Sequence, residues 1–366
     1  MLAVLTGGGT AGHITPALAL GEELKARGWD VRYAGTPDSA EERLVTQTDI
    51  PFTPFVATGF KRSHPATLFS GVARIAKSRG AAKNWFDEIH PDVVVAFGGY
   101  ACLPCGLAAE STGVPLVIHE QNSVMGWANK FLSKKAARVC LTYDHAASAV
   151  ADASKVVLTG NPVRSSVVSA TREEGRAMLG VPEDATMLLV TGGSLGARHL
   201  NQALCGLKDQ LLARSDLYVV HVTGKGEYDS VVEALALTPE EQKRWMVFGY
   251  QDQMGACMAA ADCIVSRAGA SSLAEIAARA LPALLVPFPF AAEDHQTTNA
   301  RAYVDAGCAV MIADEDVEGD QFAELVFRLV DDTDFRASME RAAREAAPEP
   351  AVKLLADEVE RAAGVR

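Results

Sequence analysis

A short apolar run that ends in glycines recurs along this chain, and the recurrence leaves few folds open. Leu2–Thr6 runs into Gly7-Gly8-Gly9, residues 93–97 into Gly98-Gly99, and residues 187–191 into Gly192-Gly193. A looser fourth copy is Cys263–Ser266 before Ala268-Gly269. Runs that are apolar at every position belong to strands buried on both faces, the environment of parallel sheets covered by helices. Strand–helix alternation from end to end makes the class doubly wound α/β. At 366 residues the chain is long enough for two domains. Two of the strand–glycine modules open in each half, and Gly160-Asn161-Pro162-Val163-Arg164 forms a turn-rich break after the strand at 155–158. The predicted domains are 1–163 and 164–335, followed by a helical tail at 336–366 rich in Ala, Glu and Arg. Two such lobes leave a cleft facing the carboxyl ends of both sheets, where ligands of open α/β folds bind.

Composition narrows the function. Apolar residues make up 49% of the chain and no apolar run approaches the ~18 residues of a membrane span. The start of the sequence lacks the basic residues and long apolar stretch of a signal peptide. Seven cysteines, an odd number, do not form a disulfide framework, so a reducing cytoplasm is expected. Cys102 and Cys105 make a CxxC, read either as a redox pair or as small residues packed at a helix start. The net charge of −12 argues against nucleic acid as a partner. Yet residues 50–86 contain no Asp or Glu and hold Lys61, Arg62, Arg74, Lys77, Arg79 and Lys83 beside Phe60, Leu68, Phe69, Val72, Ile75, Trp85 and Phe86. That mixture suits an anionic membrane surface, or an amphipathic helix with a solvated basic face.

Gly7-Gly8-Gly9-Thr10-Ala11-Gly12-His13 satisfies GxGxxG after a first strand. A dinucleotide lobe also wants an acid at the end of the second strand, but the strand at 30–34 ends in Gly35-Thr36. His13 at such a strand-to-helix turn reads as a general base, or as a cap on the helix. Gly192-Gly193-Ser194-Leu195-Gly196 precedes a helix, where free N–H groups favour phosphate. In Ser266-Arg267-Ala268-Gly269-Ala270-Ser271-Ser272-Leu273-Ala274-Glu275 the serines can meet phosphate. Glu275 either accepts both ribose hydroxyls or closes a capping box with Ser272. The polar string Glu293 to Asn299, and His119-Glu120-Gln121-Asn122, follow strands and suit sugar hydroxyls. Neither has a convincing zinc spacing. Asp314-Glu315-Asp316 and Asp332-Thr333-Asp334 are DxD strings in turn-like, acidic surroundings, read as solvated loops rather than metal sites.

Taken in order, Gly8-Gly9-Thr10-Ala11-Gly12-His13, Phe97-Gly98-Gly99-Tyr100, His119-Glu120-Gln121-Asn122, Asn129-Lys130, Gly160-Asn161-Pro162-Val163-Arg164, Gly192-Gly193-Ser194, Arg267-Ala268-Gly269-Ala270-Ser271 with Glu275, and Asp294-His295-Gln296 resemble the MurG family. These are bacterial transferases that add N-acetylglucosamine to lipid-linked muramyl-pentapeptide. The motifs span almost the whole chain. Ala11 stands where the family usually has glycine, and Leu195 where it often shows glutamine. The resemblance implies the GT-B fold, two Rossmann-like domains, with UDP-N-acetylglucosamine as donor and undecaprenyl-pyrophosphoryl-MurNAc-pentapeptide as acceptor. It implies uracil near Gln251 and ribose on Glu275. The diphosphate would lie on Ser194 and on the segment Ala270, Ser271, Ser272, Leu273 and Ala274. Arg164 and Asn129 would approach the donor, Gln296 would read its sugar hydroxyls, and Thr10, Ala11, Gly12 and His13 would face the acceptor. It further implies inverting transfer with no cofactor or metal, at the cytoplasmic face of the membrane, with residues 50–86 as the membrane-facing patch. Competing readings are a UDP-sugar epimerase, another lipid glycosyltransferase of this fold, an NAD-dependent dehydrogenase, and a non-catalytic sugar-nucleotide sensor.

Overall fold

The computed structural model describes every residue except 58–64, 194–195, 347–349 and 366; the side chains of 65–70, 72 and 292 are also outside the description. The chain forms two compact units, Met1–Arg164 with Pro348–Arg366, and Ser165–Ala347.

The first unit is built on seven strands: β1 (Leu2–Thr6), β2 (Asp30–Gly35), β3 (Phe52–Pro54), β4 (Val93–Ala96), β5 (Leu116–Glu120), β6 (Arg138–Leu141) and β7 (Val156–Leu158). They lie in the order β3-β2-β1-β4-β5-β6-β7, and every pairing is parallel. Successive side chains of a strand point to opposite faces, so an all-apolar strand must be covered twice. Val4, Val94, Ala96, Ile118, Val139 and Leu141 share one apolar cluster with Ile75, Phe86, Leu103, Cys105 and Leu132 from helices. Their neighbours Ala3, Leu5, Val93, Val95, Val117 and Cys140 share the other with Ile14, Leu20 and Leu24 of helix Ala11–Ala26 and with Leu355 and Val359 of helix Ala351–Ala362.

The second unit repeats the plan with six strands: β8 (Thr186–Thr191), β9 (Leu217–Val222), β10 (Trp245–Phe248), β11 (Cys263–Ser266), β12 (Ala283–Leu285) and β13 (Ala309–Met311). Their order is β10-β9-β8-β11-β12-β13, again all parallel. One face is packed by Leu200, Leu204, Phe322, Val326, Leu329 and Met339 against Leu188, Val190, Val219, Cys263 and Val265. The sheet order reverses between β1 and β4 in one unit and between β8 and β11 in the other. At these switch points the connections leave in opposite directions, opening a crevice at the carboxyl ends of the strands.

Two predicted features read differently in three dimensions. In helix Pro65–Ile89, Ile75 and Phe86 are buried in the core and Trp85 packs against it, so these apolar residues are spent inside the unit. The membrane reading of 50–86 therefore rests on other residues; Lys77, Arg79 and Lys83 are exposed, while Phe60, Lys61, Arg62 and the side chains of Leu68, Phe69 and Val72 fall outside the described residues. Cys102 and Cys105 are both free and buried. Burial pushes the Cys102 thiol up to about 12 and Cys105 further, so neither supplies a thiolate, and the pair is packing.

Polar groups within the cores set the sensitivity of each unit. Arg176, 1% exposed, gives Nη2 to Asp262 Oδ2 at 2.8 Å and also donates to the Ala185 and Ala260 carbonyls. Asp262 Oδ2 also accepts the Met187 N–H at 2.7 Å. Replacing Asp262 by Ala strands a buried guanidinium, and the urea midpoint should fall by an amount equivalent to roughly 3–5 kcal/mol; an unchanged midpoint would show that the pair contributes nothing. Acid should act on both units. Burial lowers His119 to about 4, against the weaker opposing effect of the hydrogen bond its ring N–H donates to the Gly160 carbonyl, and lowers His221 to about 3. In the unfolded chain both take up a proton near pH 6.5. The unfolded state therefore binds more protons as pH falls below that value. Stability is lost at up to roughly 1.4 kcal/mol per pH unit per histidine until the folded-state values are reached. The urea midpoint should drop between pH 7 and pH 5, and a midpoint that rises contradicts the assignment.

Candidate active site

In the first unit the turn after β1 and the turn after β4 lie backbone to backbone. Gly8 N–H donates to the Gly98 carbonyl at 3.2 Å. Gly99, at φ +73°, comes so close that a Cβ there would sit 2.2 Å from Gly8 O. Only glycine permits both the left-handed backbone and the approach. Thr10 then caps helix Ala11–Ala26 with extended backbone, and its side chain makes no capping bond.

His13 sits in the first turn of that helix, half-buried beside Ala11 and Gly12. Its Nδ1 lies 2.8 Å from the Gly8 carbonyl and 3.3 Å from Thr10 Oγ1. A carbonyl oxygen can only accept, so Nδ1 carries the proton and Nε2 presents a lone pair. Nε2 faces Gly98, where a side-chain Cβ would come within 3.2 Å of it. The capping role open in the sequence is not what His13 does; its ring is oriented by the turn. Asn129, 1% exposed, donates through Nδ2 to the His119 carbonyl at 3.1 Å and to Glu120 Oε2 at 2.9 Å. Glu120 in turn accepts the N–H groups of Asn122 and Gly126. Arg164 pairs with Glu22 Oε1, through Nη2 at 2.9 Å and Nε at 3.0 Å.

Glu41 had no role in the sequence reading. Its side chain is 2% exposed and lies under the first glycine turn, accepting the Gly9 N–H at 3.3 Å and the Thr36 N–H at 3.3 Å. The Gly9 N–H, which a phosphate-binding glycine turn would offer to its ligand, is therefore already taken by a carboxylate.

In the second unit helix Ala270–Ala278 starts at the carboxyl end of β11 with Gly269 as its cap and no side-chain capping bond. Ser272 is therefore inside the helix, and the capping box with Glu275 does not form. The first-turn N–H groups of Ala270, Ser271 and Ser272 precede the first intrahelical bond, Leu273 N–H to Gly269 O at 3.0 Å, at the end of the helix that carries its positive dipole. Leu273 faces the core, with Ala274 and Glu275 half-exposed one turn in. Gln296, in helix His295–Asp305, accepts the Ala268 N–H at 3.2 Å and the Phe288 N–H at 2.9 Å on Oε1. This assigns the amide's Oε1 to the two backbone N–H groups and leaves Nε2 as the donor. Gln251 follows β10, and its Oε1 accepts the Gln253 N–H at 3.0 Å. Ser194 and Leu195 lie outside the described residues; the flanking Gly193 and Gly196 both adopt positive φ, at +78° and +79°.

Asp314 departs from the solvated loop its DxD string suggests. It is 12% exposed and ion-paired to Arg267 at 2.5 Å and to His199 Nδ1 at 2.9 Å. The Asp314 carboxylate holds His199 above its usual value, with Glu318 adding to the effect. Arg267 also donates to the Val286 and Pro287 carbonyls, bracing the loop that carries Ala268 and Gly269. Among the described residues no group of three or more His, Cys, Asp or Glu is arranged to hold a metal, and no helix is long and apolar enough to cross a membrane.

The family model for the glycosyltransferase family 28 N-terminal domain matches residues 3–141, and that for the C-terminal domain matches 187–355. A protein of Desulforudis audaxviator, 37% identical over 100% of this chain and 99% of its own length, is a "UDP-N-acetylglucosamine--N-acetylmuramyl-(pentapeptide) pyrophosphoryl-undecaprenol N-acetylglucosamine transferase". A Bacillus subtilis protein of the same name is 35% identical over 97% of this chain and 98% of its own. The crystal structure of Acinetobacter baumannii MurG superposes with a TM-score of 0.71 and 28% identity, covering 98% of this chain and 99% of that one. With both domain models matched in order and full-length relatives above a third identical, this chain is a member of glycosyltransferase family 28 and has the two-domain GT-B fold of the MurG transferases.

Proposed function

We propose that this protein transfers N-acetylglucosamine from UDP-N-acetylglucosamine to the 4-hydroxyl of an undecaprenyl-pyrophosphoryl-linked N-acetylmuramyl-pentapeptide, the step from lipid I to lipid II in peptidoglycan synthesis. The observation that carries the chemistry is the orientation of His13, whose Nδ1–H is committed to Gly8 O and whose Nε2 is left as acceptor. Nε2 takes the proton of the acceptor hydroxyl. The acceptor oxygen forms a bond to the anomeric carbon as the bond from that carbon to the β-phosphate oxygen breaks, and the electron pair leaves with UDP. Attack opposite the leaving group inverts the anomeric centre and gives a β-1,4 link.

The second unit holds the donor. First-turn N–H groups of Ala270, Ser271 and Ser272, with Ser194 and the glycine turn around it, meet the diphosphate and the charge that grows on it. Glu275 accepts the ribose hydroxyls, backbone near Gln251 meets uracil, and Nε2 of Gln296 donates to a hydroxyl of the sugar. Arg164 adds positive charge towards the diphosphate. Asn129, buried and bonded to Glu120, acts by holding the turn that ends β5. The acceptor's pyrophosphate and muramyl sugar lie on the first unit, near Thr10, Ala11 and Gly12.

A membrane-bound acceptor calls for a surface that meets lipid. The exposed Lys77, Arg79 and Lys83 present positive charge, and Trp127 and Phe131, 47% and 44% exposed, stack at 5.6 Å beside exposed Lys130 and Lys134. This supports peripheral attachment to the anionic cytoplasmic face. The net charge of −12 argues against nucleic acid as a partner, and the reaction is expected to need no cofactor or metal.

Radiolabel should pass from UDP-N-acetylglucosamine to a lipid-linked muramyl acceptor, and a chelator should leave the rate unchanged. Release of free sugar or of an epimerised nucleotide sugar without acceptor would overturn the assignment. His13→Ala should lower kcat by roughly 100-fold or more while UDP affinity stays within about twofold; retained kcat would remove His13 from the chemistry. Lys77→Glu with Lys83→Glu should weaken binding to phosphatidylglycerol vesicles by about tenfold or more, at about 1 kcal/mol per lost basic residue. Unchanged vesicle binding would place the membrane surface elsewhere.

A further inference from the structure

The peptide unit between Gly8 and Gly9 is held at both ends. Its carbonyl, belonging to Gly8, accepts His13 Nδ1–H at 2.8 Å. Its N–H, belonging to Gly9, donates to Glu41 Oε2 at 3.3 Å. A Cβ on Gly8 would lie 2.4 Å from Glu41 Oε1, so the carboxylate rests directly against this peptide. The glycine at position 8 is what admits it.

We propose that Glu41 is a positioning residue for the transfer reaction, acting on His13 through the Gly8–Gly9 peptide bond. The inference rests on His13 being the base. A negative charge on the N–H side of an amide draws density towards the carbonyl oxygen, and hydrogen bonds in such a chain strengthen one another. The Gly8 oxygen becomes the better acceptor, which holds His13 as the Nδ1–H tautomer with Nε2 towards substrate. When Nε2 takes the acceptor's proton, the ring becomes a cation, and the Glu41 charge stabilises it through the same peptide. The logic is that of a carboxylate–histidine pair with one amide interposed.

The surroundings support a charged and fixed Glu41. Its other oxygen accepts the Thr36 N–H at 3.3 Å, so the described partners of this 2%-exposed carboxylate are backbone donors. Ser39 caps its short helix Ala40–Val45 by accepting the Glu42 N–H, which sets the side chain's approach. Tyr33, fully buried, donates to the Gly7 carbonyl at 2.8 Å and pins the preceding peptide. Burial, with the Glu41 charge adding to it, keeps that phenol protonated as a donor.

The test is Glu41→Gln, which keeps the shape and removes the charge. We expect kcat to fall by roughly 10- to 100-fold, with UDP affinity and the KM for UDP-N-acetylglucosamine within about twofold. In a His13→Ala background the same change should lower the residual rate by no more than about twofold, because the two residues act as one unit. Nitrogen-15 NMR of the His13 ring should show Nδ1 protonated in the unaltered protein and a mixture of tautomers in Glu41→Gln. An unaltered protein with the Nε2–H tautomer, an unchanged kcat in Glu41→Gln, or a full additive loss in the His13→Ala background would each overturn the proposal. Should His13→Ala itself keep full activity, the base assignment fails and this inference with it. A dead His13→Ala beside an indifferent Glu41→Gln overturns this inference alone. The ring measurement on the unaltered protein needs no variant and decides the tautomer even if Glu41→Gln does not fold.

Discussion

Burying a parallel sheet on both faces is the constraint from which the rest of this structure follows. β1 and β4, or β8 and β11, are apolar through their interiors, with Thr6, Thr191 and Ser266 at the last positions, so the chemistry has to be carried by the turns that leave their carboxyl ends. There the backbone approaches itself closely, as at Gly8 and Gly99, and only glycine fits. The same turns free N–H groups and start helices, which makes them good places to hold anions and to aim an imidazole.

The two units use one plan for different ends. The first glycine turn resembles a phosphate site by pattern, but its Gly9 N–H is taken by the Glu41 carboxylate and the carbonyl of the same peptide, Gly8 O, by His13. The second unit leaves the start of helix Ala270–Ala278 without a side-chain cap and braces the loop before it, with Arg267 tied to Asp314 and to the Val286 and Pro287 carbonyls just after β12. A carboxylate of the chain itself takes an N–H of the first turn, whereas the start of the helix in the second unit is left for the anion of the donor.

Most of the architecture was legible because it is written in local pattern. Continuous apolar runs ending in glycine gave the strands at Leu2–Thr6 and Cys263–Ser266, and the set of motifs identified the family. What local pattern could not convey was contact between distant segments. Nothing in the local sequence singles out Glu41; only its contact with the first glycine turn does. Asp314 reads as part of a solvated acidic loop until Arg267, 47 residues earlier, is seen to claim it. Ile75 and Phe86 look free to meet a membrane when the core they fill is not yet known. Ser272 and Glu275 match a capping box by spacing, but the helix begins at Ala270, a boundary that Gly269 sets through its backbone rather than its side chain.

The central claim is a division of labour: nucleotide on the second unit, base and acceptor on the first. Hydrogen exchange of the full-length protein with and without UDP reads it directly. Slowed exchange at the amides of residues 268–276, with the turn at residues 7–12 unchanged, is the expected result; protection confined to residues 7–12 would contradict the account.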